Sequence, residues 1–236
     1  MNFLDAYVSE SQDGFSFTRL QASRFAKQVA DDYNPIHDVD AKRFCVPGDL
    51  LFAFLLTQKG LYPRMKFVFS GMVMDGVALR IEDSAEGEWR IVDARDKEYL
   101  RASYAGTPNR DPEAIETLVR NYVRFSGHNF PHILQPLMAE KNVMINIDRP
   151  LVIYESMSID LEKDLIHDPE LEFAGAAMAV EGKRGNATLS FRFLENGREV
   201  GTGEKRMVLS GLREYEEEMM NRMVELYDER KRNKVE

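Results

Sequence analysis

A single cysteine, Cys45, is all the thiol the chain carries. That excludes an intrachain disulfide and any multi-cysteine metal site, and it fits a protein made in a reducing compartment. An excess of positive charge is also missing: 31 Lys and Arg stand against 40 Asp and Glu, a formal net charge of -9. Such a surface repels phosphate backbones and anionic headgroups, so neither nucleic acid nor membrane is expected as a partner. No apolar run approaches the roughly 20 residues needed to span a bilayer. The start, with Asp5 and Glu10 and no basic segment, does not read as a signal peptide, and the expectation is a soluble, cytoplasmic protein. No cofactor and no metal are expected: His128 and His132 are four apart, but Pro131 between them disrupts helical geometry and no third ligand is evident. Cys45, between Phe44 and Val46, reads as a buried thiol rather than a nucleophile.

What is present is enough for a substantial core, since 236 residues with 44% hydrophobic content suit one large domain or two small ones in contact. From Thr18 to Ala30 the apolar residues Ala22, Phe25, Ala26, Val29 and Ala30 follow helical spacing, and Thr18 with Gln21 makes a capping box at the start. Asn34-Pro35 then breaks the helix, because a residue before proline is pushed out of helical geometry. A second helix is expected from Pro47, and Leu50 to Leu56 are apolar on every side, the pattern of a buried helix. After Gly60 the period changes to two, around Phe67 and Phe69 and around Val77, Leu79 and Ile81, with further strands at Trp89 to Asp93 and Glu98 to Tyr104.

The second half repeats that order. Asp111-Pro112 starts a helix striped by Ile115, Leu118, Val119, Tyr122 and Val123, and SGHNFPHI follows where the first half has DDYNPIHD. Setting Pro35 on Pro131 aligns Ala22 with Leu118, Ala26 with Tyr122 and Val29 with Phe125. Strands are expected at Val143 to Ile147, Leu151 to Asp160 and Glu172 to Val180, and a hairpin from Thr188 to Leu209 turns at Asn196-Gly197. The charged tail carries Leu212, Tyr215, Met219, Met223 and Leu226 at helical spacing and reads as a helix docked on its own domain. Two sheets, each wrapped around a helix and packed side by side, are the expected architecture.

The segment Asp32-Tyr33-Asn34-Pro35-Ile36-His37 resembles the D-x-N-P-x-H signature of the MaoC-like hydratases of the hot-dog superfamily. That resemblance implies an α+β hot-dog fold, an antiparallel sheet wrapped around a central helix, here expected as a double hot dog. It also implies that Asp32 and His37 hold a catalytic water, with Asn34, Gly48 and Asp49 binding substrate. The chemistry suits these groups: hydrating an enoyl thioester needs a proton acceptor for water, a proton donor for the alpha carbon, and stabilisation of the thioester oxygen. Helix-start amides near Gly48 and Asp49 are candidates for the last role. In SGHNFPHI, His128 stands where the motif Asp would be and Ile133 where its His would be, so the second half reads as a non-catalytic copy. The stretch from Gln21 to Leu51 is similar to an uncharacterised bacterial family of unknown function, and that similarity extends over most of the chain.

The units expected are 1–110, bearing the motif, 111–211, the degenerate copy, and 212–236, the charged helix. The function expected is a hydratase or dehydratase, a lyase acting on enoyl or (3R)-hydroxyacyl thioesters of CoA or acyl-carrier protein. A non-catalytic acyl-thioester module and an acyl-CoA thioesterase are the alternatives, and a homodimer is left open. The module gains weight from the short stretch between His37 and Gly48 and from Asp49, which places a carboxylate beside the oxyanion position.

Overall fold

The computed structural model describes residues 3–147, 150–162 and 166–233. A hairpin that the alternation did not announce, β1 (Ser9–Ser11) and β2 (Gly14–Ser16), leads into the capping box, which closes as expected. The Gln21 amide donates to the Thr18 hydroxyl and the Thr18 amide donates to the Gln21 side chain at 2.9 Å. The helix so started, α1 (Arg19–Arg24), widens into a π-helical turn over Phe25–Val29, and Asp31, in the left-handed region at φ 53°, ends it. After the motif loop comes α2 (Gly48–Lys59), buried at every residue from Asp49 to Leu56. The helix is apolar on all sides because it is surrounded on all sides.

Strands β3 (Arg64–Phe69), β4 (Leu79–Ala85), β5 (Glu88–Asp93) and β6 (Glu98–Ala105) curl around α2. Phe67 of β3 meets Phe52 of α2 edge-on at 5.0 Å between ring centroids, and Phe15 of β2 lies 4.2 Å from Phe54. The second half begins with α3 (Pro112–Gly127), where Asp111 caps the Glu113 amide and Pro112 occupies the first turn. Two short helices follow, α4 (Asn129–His132) and α5 (Leu134–Glu140), then β7 (Val143–Met144), β8 (Val152–Leu161), β9 (Glu170–Glu181), β10 (Arg184–Glu195) and β11 (Arg198–Ser210). Asn196 and Gly197, both at positive φ, turn the β10–β11 hairpin, as the Asn-Gly pair requires.

The two halves are not two sheets lying side by side. They are joined edge to edge, β3 pairing antiparallel with β8 from Arg64↔Asp160 to Val68↔Ser156, into one ten-stranded sheet ordered β1-β2-β4-β5-β6-β3-β8-β11-β10-β9. The open edges of β3 and β8 satisfy each other's backbone groups, which is why the sheet is continuous. The sheet encloses two apolar clusters, the larger drawing in Met157, Ile159, Phe191 and Phe193 from the second half's strands. One surrounds α2 and draws in Leu118, Val119 and Tyr122 of α3; the other, smaller, surrounds Leu134, Leu137 and Met138 of α5. The fold is α+β, a double hot dog. None of the described helices is long and apolar enough to cross a membrane.

The tail differs from its expected phase. Strand β12 (Arg213–Glu214) pairs with β7, so the helix α6 (Glu217–Arg232) starts only after Leu212 and Tyr215. Met220 and Tyr227 are its buried residues, and Leu226 is exposed. Nor does α6 serve the second half alone: Lys231 bonds Asp31 at 2.5 Å and Arg230 lies 3.6 Å from Asp38, both on the first half's motif loop. Residues 234–236, included in the expected tail, lie outside the described residues.

Candidate functional site

The motif loop is held by its own backbone and by its neighbours. The Asp32 amide donates to Ala26 O, across the π-turn, and the Asn34 amide donates to Asp32 Oδ1 at 2.9 Å. Asn34, on the surface, uses its side-chain oxygen to cap the Ile36 amide at 3.2 Å. Downstream, the Arg19 guanidinium donates to Val39 O and Ala41 O at 2.9 Å each, and Lys27 pairs with Asp38 at 2.9 Å. The loop that follows His37 is thus clamped to α1.

Asp32 and His37 face each other, with Oδ2 and Nε2 3.7 Å apart and side chains 22% and 12% exposed. The other ring nitrogen, Nδ1, lies 2.6 Å from Cys45 O. A carbonyl only accepts, so Nδ1 carries a hydrogen, and in the neutral ring Nε2 is a bare lone pair. Two acceptors therefore confront each other at a distance too long for a direct hydrogen bond. A water between them can donate one hydrogen to each.

Gly48 opens α2 between two aromatic rings: a Cβ there would meet Phe69 at 3.1 Å and Tyr154 at 3.2 Å. The first-turn amides of Gly48 and Asp49, like those of any helix, have no carbonyl within their own helix to bond. Asp49 itself turns away from bulk water, only 8% exposed. Its Oδ2 accepts from the Ser126 hydroxyl at 2.5 Å, and Ser126 Oγ in turn accepts from Lys205 Nζ. Asp49 Oδ1 is buried with no protein donor. Burial pushes the Asp49 carboxyl above the usual range while Lys205 and Ser126 pull it down, and burial lowers the Lys205 ammonium against the attraction of Asp49 and Asp32. Lys205 also lies 4.2 Å over the Tyr154 ring, and the Tyr154 and Tyr122 hydroxyls bond each other. Burial raises both phenols well above their ordinary values.

Sequence reasoning placed Asp49 here but missed Ser126, Lys205, Tyr122 and Tyr154. A signal existed. Lys205 shares the inward parity of Met207 and Leu209 on its strand, and Ser126 follows Tyr122 by four on the buried stripe of α3, so each is a polar residue at a core position. His128, expected as the idle counterpart of the motif Asp, reaches back instead: its Nε2 lies 2.6 Å from Asp31 Oδ2. Burial alone would raise the Asp31 carboxyl, but bonds from Lys231 and His128 outweigh it and hold the group below its ordinary value. Gly127, between Ser126 and His128, touches the motif directly, since a Cβ there would sit 2.0 Å from Ala30 O and 3.2 Å from Asp32 Cβ. Two clefts open on the sheet face away from α2, one lined by Lys66, Ser156, Glu204 and Arg206, the other by Asp160, Ser190 and Thr202. Neither contains a motif residue.

Fold and site together define a double hot dog with one intact D-x-N-P-x-H loop, in which Asp32 faces His37, and a buried polar string that runs from the other half to Asp49. The chain belongs to the family described as protein of unknown function DUF3581, matched over residues 2–218. No curated protein matches it. Among solved structures it is similar to the tesB protein of Mycobacterium avium subspecies paratuberculosis, at 12% identity and TM-score 0.47, covering 87% of this chain and 96% of that one. It is similar to a MaoC-like dehydratase at 10% identity and TM-score 0.45, covering 87% and 98%. A hot-dog protein of unknown function from Alicyclobacillus acidocaldarius gives 9% identity and TM-score 0.47, covering 89% and 98%. Likeness at this level fixes neither a reaction nor a site.

Proposed function

We propose that the protein hydrates a trans-2-enoyl thioester, or dehydrates the corresponding (3R)-hydroxyacyl thioester, with Asp32 and His37 as the acid–base pair. The observation that carries this reading is the confrontation of two acceptors, Asp32 Oδ2 and His37 Nε2, at 3.7 Å, with His37 Nδ1 committed to Cys45 O. A water seated there has both hydrogens directed at bases, which leaves an oxygen lone pair for carbon 3. The group that takes the proton from water as its oxygen bonds carbon 3 then returns that proton to carbon 2, so hydration consumes one water and needs no redox partner. The amides of Gly48 and Asp49 are the donors for the thioester oxygen as it gains charge. Asn34, which caps the Ile36 amide, gives the loop its shape in this reading and contacts substrate only through its exposed end. Residues 1–110 then form the reacting unit, 111–211 complete and support its site, and α6, within the unit 212–236, covers the motif loop through Arg230 and Lys231.

The test is loss of the enoyl-thioester absorbance with crotonyl-CoA and longer acyl chains, alongside a thiol assay. Asp32→Asn and His37→Ala should each lower kcat by about a hundredfold or more, the scale of a general acid or base. The double variant should be little worse, since both groups act on one water. His128→Ala should leave turnover within about tenfold of wild type, because His128 meets Asp31 and not the pair. Near wild-type turnover in both single variants would remove the assignment. Thiol release would make the protein a thioesterase, and binding without turnover a non-catalytic thioester module.

A further inference from the structure

We propose that Arg230 and Lys231 of α6 are positioning residues of this site: the helix grips the motif loop on both sides of the Asp32–His37 pair and so holds the pair at its reacting distance. The inference rests on the hydratase reading and deepens it. Asp32 and His37 share no direct bond across their 3.7 Å, so their spacing is set by whatever holds their neighbours. Those neighbours are two more aspartates, Asp31 immediately before Asp32 and Asp38 immediately after His37. Lys231 donates to Asp31 Oδ2 at 2.5 Å, and Arg230 lies 3.6 Å from Asp38 Oδ2. One helix therefore reaches both flanks of the motif through two consecutive side chains.

A third contact lies between them. Tyr33, inside the motif and 3% exposed, meets the Tyr227 ring edge-on at 6.3 Å, and the Tyr227 hydroxyl donates at 3.2 Å to the carbonyl of Gly127, which itself lies against Asp32. Tyr227, Arg230 and Lys231 stand at i, i+3 and i+4, on one face of α6. Cations in a last turn suit the helix dipole wherever they point, but here Arg230 and Lys231 meet the two residues that bracket the motif. Asp31 also stands at φ 53°, a left-handed conformation that a non-glycine residue keeps only where its surroundings impose it, and Lys231 and His128 both bond its carboxylate there. Part-exposed ion pairs add little to global stability, so the effect of these falls on geometry, where a misplacement of about 1 Å can cost about a hundredfold in rate.

The test is the double variant Arg230→Met with Lys231→Met, which keeps the aliphatic stems and removes the charges. With crotonyl-CoA, kcat should fall about tenfold, KM should stay within about twofold, and the urea unfolding midpoint should hardly move. Each single replacement should cost less, because His128 still bonds Asp31 and Lys27 still pairs with Asp38 at 2.9 Å. Arg230→Lys with Lys231→Arg, which keeps both charges, should recover most of the rate. Unchanged kcat in the Met variant, or a loss that the charge-keeping variant does not recover, would overturn the proposal and leave α6 a cover. If the Met variant does not fold, Asp31→Asn, which removes the acceptor of Lys231, decides instead: lowered kcat at unchanged KM supports the grip and unchanged kcat refutes it. If wild type turns over no enoyl thioester, the hydratase reading falls alone. The His37 ring signal, assigned by its loss in His37→Ala, is then followed by proton–carbon NMR. A single line in wild type that broadens or splits in the Met variant upholds the inference, and the same line in both sinks it.

Discussion

The two halves repeat one order of elements and put it to different uses. In the first, α2 has twelve residues with a continuous buried run, and the loop before it brings an aspartate and a histidine face to face. In the second, α5 has seven residues, of which Leu134, Leu137 and Met138 are buried, and the equivalent loop sends His128 across to Asp31. The second half keeps polar residues at core positions, Ser126 and Lys205, but directs them at the first half's helix. The second half has no Asp–His pair in its equivalent loop, and a string from Lys205 through Ser126 to Asp49 crosses from it to the first half. Sequence read half by half makes the second copy look idle; only its contacts show otherwise.

Unequal cores should show first in stability. Leu55→Ala, at the centre of α2 and 1% exposed, should cost about 3–5 kcal/mol, and Leu137→Ala, 8% exposed on the shorter α5, nearer 2 kcal/mol, read from urea unfolding. Equal losses would mean that the halves are equivalent after all. The contact between halves comes next. Gly127→Ala forces a Cβ into Ala30 O, so it should cost about 1–3 kcal/mol and disturb Asp32 besides, and a stable variant with wild-type turnover would break the claim that this contact shapes the site.

Smaller still is the clasp of α6 on the motif loop. Asp31 is held below its ordinary carboxylate value, so its contribution is present above that value and is lost as pH falls through the lowered one. Hydrogen exchange in α6 should therefore quicken only at acidic pH, and Asp31→Asn should bring that loosening to neutral pH, at a cost of about 1 kcal/mol or less. Unchanged exchange in Asp31→Asn would show that Tyr227 and Met220 hold the helix without it. Smallest of all is an effect on labelling. Burial pushes the Cys45 thiol up to about 11, so alkylation at neutral pH should run about a hundredfold slower than for a free thiol, and fast labelling would show the His37 loop opening.

Much of this was legible from local rules. The capping box of Thr18 and Gln21, the Asp111 cap with Pro112 and the Asn196-Gly197 turn all formed where short-range chemistry put them. The buried character of α2 followed from apolar residues on every face. The β1–β2 hairpin escaped because Ser9–Ser11 and Gly14–Ser16 are too short and polar to show a period. The phase of α6 was misjudged because the β12–β7 pairing, some 70 residues apart in the chain, delays its start.

The sequence by itself determined which residues could do chemistry in the motif loop, because the Asn-Pro turn brings Asp32 near His37 through bonds among near neighbours. Tertiary structure alone decided what surrounds them. Ser126 reaches Asp49 from 77 residues away and Lys205 reaches Ser126 from 79, and β3 meets β8 only when two separate curled sheets close on each other's edges. Such contacts are selected by burial and charge compensation across the whole molecule, and no window of sequence contains both partners.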